Sequence, residues 1–171
     1  MALARWRYSG VTAIRNRINS PRFDWIRRTL RCHSVDHGIE TPEERTKIGK
    51  SEFGQIIVEF STDTKSLFIN ISDDGQGIDP GKIRKKLVEK GFNSDAESDQ
   101  KVIQHVFDSQ LSTKEQVTEL SGRGVGMDAI LIAAKKLNGN AKVESTIGKG
   151  MTLKIEVPYY NTIQETLLKV A

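Results

Sequence analysis

Apolar and polar positions alternate along two neighbouring stretches, Gln55–Ser61 and Ser66–Ser72. This is the two-residue period of a half-buried strand. The residues between them, Thr62-Asp63-Thr64-Lys65, predict a hairpin turn. A second hairpin is predicted from Ala141–Ile147 and Met151–Val157, around Gly148-Lys149-Gly150. Elsewhere the apolar spacing is helical. Helices are predicted at Phe23–Asp36, stopped by Gly38, and over one or two turns at Glu43–Ile48 after Pro42. Pro80–Glu89 reads as an amphipathic helix with Ile83, Leu87 and Val88 on one face and Gly91 past its end. Val102–Phe107 is a short helix or turn, and Val125–Leu137 a helix closed by Asn138-Gly139-Asn140. Strands and helices are mixed, with antiparallel pairs toward both ends, so the class is α+β rather than a doubly wound parallel sheet.

Composition narrows the picture. A chain of 171 residues, 37% hydrophobic and 28% charged, suits one domain with an ordinary core. Cys32 has no partner, which excludes a disulfide framework. The apolar run Ala129–Ala134 is far short of the roughly 18 residues of a membrane span. With no standard secretory signal, the expected setting is reducing and cytoplasmic, with no membrane partner.

The net charge of +4 is unevenly placed. Residues 1–32 hold eight arginines, no lysine and one acid, a net +7, while residues 33–171 carry −3. The basic excess therefore belongs to the first fifth of the chain, and nucleic acid is not the expected partner of the remainder. For the Arg-rich segment three readings stand: a targeting peptide, a basic arm for an anionic partner, or a stretch foreign to the domain.

Three glycine-rich stretches carry the candidate chemistry. Asp73-Asp74-Gly75-Gln76-Gly77 leaves a predicted strand, so the sheet would fix the direction of a carboxylate there. The plainer reading is a strand-to-turn exit. Gly122-Arg123-Gly124-Val125-Gly126-Met127-Asp128 leads into a helix, where several N–H groups could converge on phosphate oxygens. Its spacing is not the dinucleotide fingerprint. Gly49-Lys50-Ser51 ends like a P-loop, but Glu44 stands where the first glycine must be. Gly148-Lys149-Gly150-Met151-Thr152 alone is a hairpin turn. Asp73, Asp74 and Asp79 could ligate a metal but lack the calcium-loop spacing.

In this order, the stretches resemble the ATP-binding module of the superfamily that contains gyrase and the sensor histidine kinases. More narrowly, they resemble the catalytic domain of the CheA-type chemotaxis kinases. The resemblance rests on Ser34-Val-Asp36-His37-Gly38-Ile-Glu40-Thr-Pro42-Glu43-Glu44-Arg45, on the Asp73–Asp79 run, and on Leu111-Ser112-Thr113-Lys114. It continues through Val117–Asp128 and the Gly148–Thr152 hairpin, covering residues 33–160. It implies a Bergerat fold, a two-layer α/β sandwich whose mixed, mostly antiparallel sheet has helices on one face.

The resemblance also implies roles. Asp73 would accept the exocyclic N–H of adenine, and Gly75 and Gly77 would let base and ribose approach the backbone. Lys82 would offset phosphate charge. Ser112, Thr113 and Lys114 would belong to a lid, with Gly122, Arg123, Gly124, Val125, Gly126 and Met127 as hinge and N–H cradle. Thr152 would support the adenine pocket. Asp36 and His37 would lie near the phosphates, His37 having the alternative of a purely structural histidine. Mg²⁺ would accompany ATP, and His33 occupies the family's Mg²⁺-binding asparagine position. Imidazole suits Mg²⁺ poorly. Thr29 replaces a family histidine one turn earlier, and residues 1–32 match nothing in the family. That clustering points to an altered or truncated chain start.

The implied function is ATP binding and phosphoryl transfer to a histidine in a two-component, chemotaxis-like phosphorelay. Its substrate would be a histidine-containing phosphoacceptor domain, in trans or in sequence beyond this chain. A response regulator or coupling protein would act downstream. Residues 161–171 read as the start of a connector. The alternatives are a nucleotide-binding module with impaired catalysis, an anti-sigma-type serine kinase, and a nucleic-acid binder working through residues 5–31.

Overall fold

The computed structural model describes residues 3–10, 38–108 and 126–158. Strand β1 (Ala4–Gly10) is followed by helix α1 (Pro42–Lys47), β2 (Gly54–Thr62) and β3 (Ser66–Asp73). Then come α2 (Pro80–Glu89), α3 (Asp99–Ile103) running into a 3₁₀ turn (Gln104–Phe107), α4 (Met127–Lys136), β4 (Asn140–Thr146) and β5 (Gly150–Pro158). The strands form one sheet in the order β1-β2-β3-β5-β4. Among the described strands β1 and β2 are parallel, and the other three pairings are antiparallel.

Alternation builds the layers. Ile56, Val58 and Phe60 of β2, Ile69 and Ile71 of β3, and Leu153 and Ile155 of β5 are buried on one face. Gln55 and Glu59 of β2 and Lys154 and Glu156 of β5 are exposed on the other. Ile103 of α3, Phe107, and Met127, Ile130 and Ala134 of α4 join the buried face in one cluster. Helices α3 and α4, with Ile83 of α2, thus cover one side of a mixed sheet, the Bergerat arrangement. Among the described residues no helix is long and apolar enough to cross a membrane.

The pattern places both hairpins and α2, where Asp79 caps the helix by accepting the Gly81 N–H and Pro80 opens it. Four differences have local causes. Val88 is 61% exposed, because it lies about 100° round the helix from buried Leu87. The third helix begins at Asp99 rather than Val102, since Ser98 caps a polar first turn. The fourth begins at Met127 rather than Val125, with Gly126 in extended conformation ahead of it.

The fourth difference is β1, inside the Arg-rich segment. Ala4 and Trp6 pack against the core, and Arg5 lies 4.4 Å above the Phe53 ring. Residues 4–10 are therefore part of the sheet, not set apart from it. The predicted helix Phe23–Asp36 lies outside the described residues.

Candidate functional site

Two adjacent acids at the end of β3 have opposite surroundings. Asp73 continues the parity of Ile69 and Ile71, so it falls on the helix-covered face, only 9% exposed. Its Oδ1 accepts the Gly75 N–H at 3.0 Å. Asp74 turns the other way, accepting the Gln55 N–H at Oδ1 (2.8 Å) and the Arg45 guanidinium at Oδ2 (2.9 Å). The sheet's period sets Asp73 on the helix-covered face and Asp74 on the other.

The glycines interlock the turn after β3 with the β4–β5 hairpin. A Cβ on Gly75 would stand 2.0 Å from the Gly38 carbonyl oxygen, and one on Gly77 (φ +73) 2.4 Å from the Thr146 carbonyl oxygen. Their missing side chains make room for these carbonyls. Gly148 N–H donates to the Gln76 carbonyl at 2.7 Å. Ser145 Oγ accepts the Ile78 N–H and donates to the Gly150 carbonyl.

Gly150 (φ +99) passes under the Asp73 carbonyl, which a Cβ would meet at 2.0 Å. Gly148 (φ +77) has nothing within 4 Å of a Cβ. Gly148→Ala should therefore cost only the backbone penalty of about 1–2 kcal/mol. Gly150→Ala adds a backbone clash and should cost roughly 3 kcal/mol or more. Urea midpoints of the two variants check this; equal losses would contradict it.

Asp73 borders a cavity of about 950 Å³ between the sheet, α3 and α4. Val143, Met151, Leu131 and Phe107 provide apolar wall, and Lys101, Lys135, Lys142 and Lys149 also border it. Its size falls within the range of small-molecule sites. Gln104 and Gln100 hold the free edge of β4. The Gln104 amide donates to the Val143 carbonyl (2.6 Å) and accepts the Val143 N–H (3.1 Å), and the Gln100 amide donates to the Ser145 carbonyl (2.9 Å). Sequence reasoning missed both glutamines, because nothing local marks a side chain that seals a distant strand edge.

Of the other expected residues, Thr152 borders the cavity but sits in register with Ser72 and Glu144, opposite in parity to buried Leu153 and Ile155. Met151 shares the core side of β5 with Leu153 and Ile155. Lys82 is exposed in the first turn of α2 and does not border the cavity. Gly126 and Met127 stand at the start of α4, with Met127 buried in the core. His33, Asp36, His37, Ser112, Thr113, Lys114, Gly122, Arg123, Gly124 and Val125 lie outside the described residues, as does Thr29.

His105 fastens the turn carrying Phe107 and Asp108. Its Nδ1 is 2.6 Å from Asp108 Oδ2 and its Nε2 3.1 Å from Glu97 Oε2. The Asp108 hydrogen bond, helped by Glu97 and opposed by partial burial, raises the imidazole above its ordinary value of 6.5. Hydrogen bonds from Lys101 and then His105 hold Glu97 below its ordinary 4.5. A raised histidine stabilises fully below its ordinary value and loses that contribution as pH rises through the raised one. A depressed carboxylate loses its contribution as pH falls. The cluster should be fully effective between about pH 4.5 and 6.5. Urea unfolding of His105→Gln and the parent chain checks this, the difference shrinking as pH rises toward 9.

Among the described residues no group of three or more His, Cys, Asp or Glu side chains could hold a metal ion. Asp74 is committed to Arg45 and Gln55, and Asp79 to its helix cap. Neither Asp74 nor Asp79 is thus offered to a metal, and His33, the position expected to hold Mg²⁺, lies outside the described residues. The directed Asp73 carboxylate, the apolar wall and the bordering lysines, of which Lys101 is paired with Glu97, do fit a nucleotide.

Comparison with known proteins agrees with that fit. A sequence model of the family described as histidine kinase-, DNA gyrase B- and HSP90-like ATPase matches residues 30–161. The chain is 49% identical over 138 residues to the chemotaxis protein CheA of Borreliella burgdorferi, covering 80% of this chain and 16% of that relative. It is 41% identical over 140 residues to the sensor histidine kinase CheAY of Helicobacter pylori, covering 80% and 17%. To the gliding motility regulatory protein of Myxococcus xanthus it is 38% identical over 140 residues, covering 80% and 18%. The chain thus spans less than a fifth of the length of each of these three relatives.

Proposed function

This chain belongs to the family of histidine kinase-, DNA gyrase B- and HSP90-like ATPases, and from that premise we propose that it binds ATP in the Asp73 cavity and serves transfer of the γ-phosphoryl group to a histidine. The observation that carries this reading is the placement of Asp73. A buried carboxylate directed by the sheet into a cavity accepts the exocyclic N–H of adenine. Guanine presents a carbonyl oxygen at that edge, which the same carboxylate repels, so ATP is selected over GTP. The apolar wall from Val143, Met151 and Leu131 excludes water around the base. The interlocked glycines keep the turn after Asp73 from shifting.

The similarity to CheA and CheAY supports placing the reaction in a cytoplasmic, chemotaxis-like two-component relay. The acceptor would be a histidine-containing domain in trans or in a longer chain, with a response regulator downstream. The expected roles of His37, Asp36, Lys82 and the Ser112–Lys114 lid belong to this reading, as does Mg²⁺ accompanying the triphosphate. The phosphoryl-transfer test incubates the chain with γ-labelled ATP, Mg²⁺ and a histidine phosphoacceptor domain. The reading expects an acid-labile, base-stable phosphohistidine on that domain. ATP binding with no label would instead mark a binding module, and an acid-stable phosphoserine would mark a serine kinase.

A further inference from the structure

We propose that Lys50 is a positioning residue that orients Asp73 through a shared peptide plane, as the outer member of the ion network Arg45–Glu40–Asp74–Lys50. The inference deepens the nucleotide-site reading and rests on it. The network is balanced, two cations against two carboxylates. Arg45 is fully buried and donates to Glu40 (3.0 Å), the Asp74 carboxylate (2.9 Å), the Asp74 carbonyl (3.3 Å) and the Ser51 carbonyl (2.6 Å). Charge balance and complete hydrogen bonding are what make buried ions tolerable.

Lys50 has three donors, and three acceptors lie within reach of them. They are Glu40 Oε1 at 2.7 Å, the Asp74 carbonyl at 2.8 Å and the Gly75 carbonyl at 2.8 Å. Two of the three are therefore successive main-chain carbonyls of the turn that follows Asp73. A trans peptide is planar, with its C=O and N–H pointing in opposite directions. The peptide whose carbonyl is Asp74's has the Gly75 N–H on its other side, and that N–H donates to Asp73 Oδ1. The peptide whose carbonyl is Gly75's has the Gln76 N–H, which donates to the Gly38 carbonyl at 2.8 Å.

One ammonium thus fixes two peptide planes. The far edge of one holds the carboxylate of the site; the far edge of the other holds the chain just after Asp36 and His37. A cation on the carbonyl side also polarises each peptide and strengthens the bond its N–H makes. Asp74 supplies the rigid backing: its N–H, its carbonyl and both carboxylate oxygens are all engaged.

Lys50→Met in the full chain removes the ammonium while keeping most of the stem. Two readouts separate positioning from general stability. Amide hydrogen exchange at Gly75 and Gln76 should accelerate at least about tenfold while the amides of β3 and β5 stay protected. The ratio of ATP to GTP affinity, measured calorimetrically, should fall by about tenfold. Lys50→Arg, which keeps a cationic donor, should recover part of both effects. Exchange that is unchanged, or accelerated evenly across the sheet, would overturn the proposal. So would an unchanged ATP-to-GTP ratio in a chain that binds ATP. Selective exchange in a chain whose parent form binds no ATP would support the positioning and refute the nucleotide reading, so the two failures are distinct. Should the methionine variant not fold, Lys50→Gln is read the same way.

Discussion

Replacing Asp73 by asparagine is expected to weaken ATP binding about tenfold to a hundredfold and to narrow or reverse the preference for ATP over GTP. The size follows from a hydrogen bond to a charged group, worth about 1.5–3 kcal/mol. The direction follows from geometry. An asparagine retains one acceptor oxygen, and the Gly75 N–H already lies 3.0 Å from the Asp73 carboxylate and competes for it. The amide nitrogen then faces the exocyclic N–H of adenine, donor against donor. The same nitrogen can donate to the carbonyl oxygen of guanine. Calorimetric titration of both nucleotides into the variant checks the result, with circular dichroism confirming that it is folded. Unchanged ATP affinity would remove Asp73 from the site.

The largest loss of stability is expected from Arg45→Met. Arg45 is wholly buried, and its guanidinium neutralises Glu40, which is 11% exposed, and the Asp74 carboxylate. Removing it leaves carboxylate charge in a poorly solvated place with Lys50 alone to answer it. It also orphans the Ser51 carbonyl. Breaking a buried pair from one side costs about 3–5 kcal/mol. That is a large share of the roughly 5–15 kcal/mol that holds a typical domain together. Guanidinium unfolding followed by circular dichroism should show the midpoint falling accordingly. A loss below about 1 kcal/mol would mean the network is not a structural centre.

Much of this architecture was legible along the chain, because it is local. Period-two alternation marked β2, β3, β4 and β5, and Pro80 with Gly91 bracketed α2. The turn-rich glycines marked where backbone must approach closely. What they approach was not legible: Gly75, Gly77 and Gly150 face carbonyls of Gly38, Thr146 and Asp73, contacts between distant segments. Long-range charge pairing was hidden for the same reason. Lys50 stood out only as the tail of a failed P-loop match, while its partners lie 10, 24 and 25 residues away.

The Arg-rich composition of the first residues obscured an alternation that does place Ala4 and Trp6 on the core side. At the second hairpin the resemblance implies Thr152, which borders the cavity, while strand parity turns Met151 toward the buried face. A one-residue step along a strand reverses the face, and only the register settles which side a motif residue serves.

The most direct test of the account is calorimetric titration of the full chain with ATP and with GTP, each with and without Mg²⁺. The account predicts saturable ATP binding at one site and at least about tenfold weaker binding of GTP. A folded chain that binds neither nucleotide, or both equally, would contradict the reading of the Asp73 cavity as an adenine site.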